Sequence, residues 1–195
     1  MKNLRTIPIL ALVAIMVASV AQAAPTVSIF FSMDDGEETW DDTMMHEGQR
    51  RDIHVVLSGF DASVNAVEYK INLPAELGVI GTEYAFAGAL DLGTGHASSG
   101  TGTAVGFGEC YPLYQVTNGT ADLVVQKLTV YSFGSIARQE ITVTAFEGGG
   151  DSPTEPRYSL CDGTLEDLAS ESAWIEVTAA VPSDANSWGA IKSLY

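Results

Sequence analysis

The sequence predicts an all-β chain, an antiparallel β-sandwich of eight or nine strands of immunoglobulin-like architecture, preceded by a signal-peptide helix that is cut away. Three observations carry this. Apolar residues recur with period two, as in Val67, Tyr69, Ile71 and Leu73 alternating with Glu68, Lys70 and Asn72. Turn-forming residues punctuate the chain every 8–15 residues. No helical period of ten or more residues stands out after the first 23 residues. Period two places alternate side chains on opposite faces of a strand, and regular turn spacing folds such strands back on one another.

The opening segment has its own logic. Lys2 and Arg5 give a basic start, Ile7 to Val20 is apolar, and Ala21-Gln22-Ala23 supplies small residues. That order is a secretory signal peptide. Its apolar run of 14 residues is shorter than the roughly 20 that span a bilayer. Cleavage is expected after Ala23, with Ala21 as the alternative. The expected division is 1–23 signal peptide, 24–180 sandwich, and 181–195 linker with a short helical tail. The expected compartment is outside the cell or on its surface, with the periplasm as an alternative. No transmembrane segment remains after cleavage.

Strands are expected in order. Val27 to Met33 is apolar and β-rich. Asp52 to Phe60 sets Ile53, Val55 and Leu57 on one face and leaves His54 on the other. Val67 to Leu73 ends at Pro74, and Gly78 to Ile80 extends toward Tyr84 and Phe86. Gly93 to Gly108 reads as a loop that becomes a strand near Thr103 to Phe107. Leu123 to Phe133 is apolar on both faces, as a central strand requires. Ile141, Val143 and Ala145 alternate with threonines, and Trp174 to Ala179 is the last strand. Short helices are expected at Leu165 to Ser170 and at Trp188 to Leu194. In the second, Trp188, Ile191 and Leu194 share one face and form a docking cap or a tail read by a sorting system.

Removing the signal leaves seven basic against 25 acidic residues, a formal charge of −18. Such a surface repels phosphate, so nucleic acid and anionic membranes are excluded as partners. A protein or polysaccharide at the cell surface is expected instead. Cys110 and Cys161 are the only cysteines, and an even count in an exported chain predicts one disulfide between them.

The densest chemical signal is Asp34-Asp35-Gly36-Glu37-Glu38-Thr39-Trp40-Asp41-Asp42, with six carboxylates in nine residues. Ca²⁺ takes six to eight oxygens, so Asp34, Asp35, Glu37, Asp41 and Asp42 are its candidate ligands. The spacing does not match the EF-hand loop, and a solvated acidic loop is the alternative. No other cofactor is expected. Asp151, Glu155, Asp162, Glu166 and Asp167 form a looser second group. Trp40, Tyr84, Tyr111 and Tyr114 are candidate ligand-binding rings, since sugars pack their C–H faces on aromatics.

No catalytic residues emerge. The G-x-S-x-G, H-E-x-x-H and P-loop patterns are absent. Gly95-His96-Ala97-Ser98-Ser99-Gly100 reads as loop composition. Asn118-Gly119-Thr120 fits a glycosylation acceptor and also a plain turn, which is the reading adopted. A hydrolase is therefore the least favoured of three readings, behind a non-catalytic binding or surface protein and a carbohydrate-binding module.

One stretch resembles a known family. Gly59, Val64, Glu68, Leu73 and Pro74 occupy the places of a G-x-x-x-x-V-x-x-x-E segment leading into L-P. That pattern is similar to the opening strands of cohesin-like domains, over roughly Val27 to Ala180. The acidic insertion Asp34 to Gln49 and the cysteine pair depart from it. The ending Trp188-Gly189-x-Ile191-Lys192-x-Leu194-Tyr195 resembles the tail of exported bacterial proteins that carry such a sandwich. These resemblances imply architecture and compartment, and no catalytic residue.

Overall fold

A computed structural model describes residues 24–32, 38–39, 43–84, 88–93, 98, 100–111, 123–148 and 153–179. Among them there is no helix, and none long and apolar enough to cross a membrane. The strands form two sheets that face one another as a sandwich.

The first sheet holds β1 (Thr26–Ser32), β2 (Glu38–Thr39), β4 (Arg50–Ser58), β6 (Leu77–Tyr84), β9 (Leu123–Ser132) and β13 (Ala169–Ser170), in the order β13-β1-β4-β9-β6 with β2 also on β1. The second holds β3 (Thr43–His46), β5 (Val64–Asn72), β7 (Leu90–Asp91), β8 (Thr103–Tyr111), β10 (Ile136–Thr144), β11 (Arg157–Leu160), β12 (Leu165–Asp167) and β14 (Ala173–Thr178). Its order is β12-β11-β5-β10-β14-β3, and β8 lies along β5 with β7 outside it. Two strands share one edge of β5, β11 along Val64 to Glu68 and β10 along Lys70 to Asn72.

Alternation builds the core. Ile53, Val55 and Leu57 from β4 meet Val67, Tyr69 and Ile71 from β5, all essentially without exposure. Ile141 and Val143 of β10 and Ala173, Ile175 and Val177 of β14 complete the second sheet's inner face. Burying one such aliphatic side chain contributes about 1.5–3 kcal/mol.

Among the described residues eight strands reach six residues or more, which matches the expected eight or nine, and six shorter ones decorate them. Two expectations need correcting. Leu165 to Ser170 is not a helix. Leu165–Asp167 instead pairs with β11, Ala169–Ser170 pairs with β1, and Leu168 between them is fully buried. Two open sheet edges and one core socket outweigh a local preference of a few tenths of a kcal/mol per residue. The sandwich is also not wholly antiparallel, because β1–β13 and β3–β14 run parallel.

Strand β9 is internal as expected, between β4 and β6, but its inner face is not purely apolar. Gln126 and Ser132 point inward and are fully buried. The Ser132 hydroxyl donates to the Gly134 carbonyl at 2.7 Å.

Candidate functional site

The register of the second sheet lines up one row of residues across five strands. Leu90 of β7 faces Gly106 of β8, Gly106 faces Ala66 of β5, Ala66 faces Ser159 of β11, and Ser159 faces Leu165 of β12. Directly opposed residues in antiparallel pairs lie on one face. The inward neighbours are Val67, Val105 and Tyr158, so this row faces outward. It makes a shallow groove about 19 Å long, four strand spacings. The floor is Gly106, Ala66 and Ser159. The walls are two exposed leucines, Leu90 at 59 % and Leu165 at 52 %.

A second row runs beside it. Glu68 faces Ala104 on one side and Arg157 on the other, and Arg157 faces Asp167. Arg157 Nε donates to Glu68 Oε1 at 2.5 Å, with both side chains mostly buried. A cavity of about 40 Å³ lies between the rows, against Ala66, Ala104, Arg157 and Leu165. Beside Ala66, at the middle of the floor, lies a hollow of about 490 Å³ bounded also by Asn65, Gly108, Glu109 and the cysteines. Cys110 and Cys161 form the expected disulfide, with Cα atoms 5.6 Å apart. It bridges the end of β8 to the turn after β11, the two strands that flank the start of β5.

A polar network holds the Leu90 wall from beneath. The next residue, Asp91, turns inward. Its carboxylate accepts from Thr103 Oγ1 at 2.5 Å, from the Gly93 amide at 2.7 Å and from the Tyr84 hydroxyl. Burial works to raise the Asp91 pKa, but the bonds from Thr103, Tyr84 and Gly93 outweigh it and hold the carboxyl below its ordinary value. The Tyr84 phenol is pushed up to about 12, first by burial and then by its bond to Asp91. Close by, Tyr69 donates to Gln126 Oε1 at 2.9 Å, with both fully buried. Burial is the main cause of a strongly raised Tyr69 pKa.

The Leu165 wall has matching support. Tyr158 donates to Glu166 Oε2 at 2.6 Å, and Phe60 packs against the Tyr158 ring edge-on at 4.9 Å. Burial and then Glu166 push the Tyr158 phenol upward. Asp162 caps the turn by accepting from the Thr164 amide at 2.8 Å.

Of the residues expected to bind ligand, Tyr84 and Tyr111 are half-buried against the core, on different sheets. They therefore do not make a shared platform. Tyr111 meets Phe107 edge-on at 6.4 Å. Trp40 and Tyr114 lie outside the described residues, as do Asp34, Asp35, Glu37, Asp41, Asp42 and the tail residues Trp188, Ile191 and Leu194. Among the described residues no three His, Cys, Asp or Glu side chains gather in a metal-binding group. His46 Nδ1 lies 2.6 Å from Thr178 Oγ1. Trp174 stands on the outer face of β14 with the Arg138 guanidinium 5.1 Å over its ring.

Sequence reasoning missed the groove. Leu90 falls between the strand expected to extend toward Phe86 and the loop expected from Gly93, and Leu165 was expected on a helix. The one available signal was Leu90-Asp91-Leu92, an alternating triplet just before that loop.

Comparison with solved structures agrees with this architecture. The cohesin module of a Clostridium perfringens family 33 glycoside hydrolase superposes with a TM-score of 0.56 at 13 % identity, covering 80 % of this chain and 98 % of that one. A chain of a type I cohesin–dockerin complex from Clostridium thermocellum gives 0.51 at 11 % identity, over 80 % and 94 %. No family model matches the chain, and no curated protein matches it by sequence. The fold is thus a cohesin-like β-sandwich.

Proposed function

We propose that this chain is an exported, non-catalytic module that binds a protein partner through the groove on the outer face of its second sheet. The observation that carries the reading is the Leu90–Gly106–Ala66–Ser159–Leu165 row. Small residues on the floor admit a partner's side chains to the sheet, and exposed leucines at both walls offer apolar contact. Apolar centres with polar rims are where protein interfaces concentrate their affinity. The structurally similar cohesins include one solved in a cohesin–dockerin complex, which supports a folded protein as occupant. The formal charge of −18 left after removal of the signal selects a partner with a basic rim.

Export rests on the basic-apolar-small order of residues 1–23. A closed disulfide suits an oxidising compartment.

The test is affinity capture from the extracellular fraction of the source cells with wild-type protein and with Ala66→Arg, alongside a glycan array. The reading expects a protein retained by wild type and lost from the variant, whose melting temperature is unchanged. Retention of glycans alone, or equal capture by both proteins, overturns it.

A further inference from the structure

We propose that the C-terminal tail folds back on its own domain, and that Trp188, Ile191 and Leu194 cover an aromatic patch on the outer face of the first sheet. This patch lies on the opposite sheet from the groove, so the proposal stands or falls independently of the partner-binding reading.

The patch is built where β9 ends. Tyr131 and Phe133 meet edge-on with ring centroids 5.0 Å apart. Phe133 is 64 % exposed, although the Cε2 edge of its ring is already seated. Gly78 faces Tyr131 across the β6–β9 ladder, and a Cβ on Gly78 would collide with the Phe133 ring. The ring edge is therefore held on bare backbone while most of the ring stays exposed. Ile80, at the bulge in the same β6 strand, is 49 % exposed. An oriented aromatic pair with an aliphatic neighbour is an apolar surface prepared for a cover.

The position of the tail supplies the occupant. The Thr178 carbonyl, at the end of β14, accepts from the Glu47 amide at 2.9 Å. The next amide, Gly48, donates to the Ser132 carbonyl at 3.1 Å, between Tyr131 and Phe133. A Cβ on Gly48 would stand 3.6 Å from the Tyr131 hydroxyl. The chain thus leaves its last strand beside the patch. Trp188 lies nine residues beyond Ala179, the last described residue, after the polar stretch Val181 to Ser187. Nine residues of chain give a root-mean-square reach of about 17 Å by coil scaling, against roughly 10 Å for two strand spacings. Tethering at this range gives an effective concentration in the millimolar region, so weak contacts suffice.

Charge agrees with this occupant. Lys192 is the tail's cation, and Glu76, whose carbonyl accepts from the Phe133 amide at 2.8 Å, borders the patch. An unrelated apolar partner would have to compete with this tethered segment.

The experiment is ¹⁹F NMR of the full chain labelled with fluorotryptophan, with the Trp188 signal assigned by Trp188→Phe. The proposal expects a Trp188 resonance shielded from solvent in wild type. In Phe133→Ser the docked-to-free ratio falls about tenfold, and the signal moves toward that of free indole. Leu92→Ser, an exposed apolar change near the second sheet's edge, leaves it in place. Ile80→Ser serves as the second patch variant where Phe133→Ser fails to fold. A free-indole signal in wild type overturns the proposal, as does a shielded signal indifferent to both patch variants. Shielding that weakens on dilution also overturns it, because the cover is then a second copy of the chain.

Discussion

Replacing Cys110 and Cys161 by serine removes the single cross-link in the sandwich. The bridge closes a loop with a sequence separation of 51 residues. In the chain-entropy treatment a loop of that length restricts the unfolded chain by about 14 cal/mol/K, or about 4 kcal/mol at 25 °C. For a domain of this size each kcal/mol moves the melting temperature by about 2–4 °C, so the double variant is expected to melt ~8–16 °C lower. Thermal unfolding followed by circular dichroism measures this, on wild type with and without reductant and on the variant. Reduced wild type and the variant should coincide. The loss should also be local in hydrogen exchange. The bridge joins β8 to the β11–β12 turn on either side of β5, so amides of β11 and β12 should exchange earlier than those of β4 and β9. A variant melting within about 2 °C of oxidised wild type would refute the reasoning.

Three further outcomes follow from the interior. Tyr69→Phe deprives the buried Gln126 oxygen of its donor and should cost about 1–3 kcal/mol in urea unfolding, whereas an unchanged midpoint would mean the bond contributes nothing. Leu128→Ala opens a cavity at a fully buried position and should cost about 2–5 kcal/mol by the same measurement. The third outcome is a dependence on pH. The folded-state pKa of Asp91 is lowered, so its contribution is complete above its unfolded value of 3.8 and is lost as pH falls through the folded value. Tyr84 is raised from 10.0 to about 12, so its contribution is complete below pH 10 and is lost as pH rises toward 12. Asp91→Asn should flatten the acid arm of a stability–pH profile, and Tyr84→Phe the alkaline arm. Profiles that keep both arms contradict the network.

The fold was legible because the core strands are simple. Ile53, Val55 and Leu57, and Val67, Tyr69 and Ile71, announce their inner faces by alternation alone, and all six are buried as that pattern requires. The cysteine pair was legible by count. What was not legible depends on pairing across long sequence distances. Leu165 is a wall of the groove only because β12 adds to β11, and Leu90 only because β7 adds to β8. No local signal encodes those partners. Trp and Tyr drew attention as ligand platforms for their chemistry. Yet Tyr84 spends its hydroxyl on Asp91, and the exposed ring pair is Tyr131 and Phe133, at the end of a strand read as wholly internal. Glu68 was marked through the cohesin-like pattern, and it proves to be the carboxylate that holds Arg157 beside the groove.

The most direct test of the partner-binding account is calorimetric titration of the captured partner into wild type and Ala66→Arg. The account predicts at least about a hundredfold loss of affinity in the variant, because a long cation on the groove floor fills the apolar contact and places an unpaired charge beneath it. Equal affinity in two proteins with the same melting temperature would contradict it and move the binding surface elsewhere.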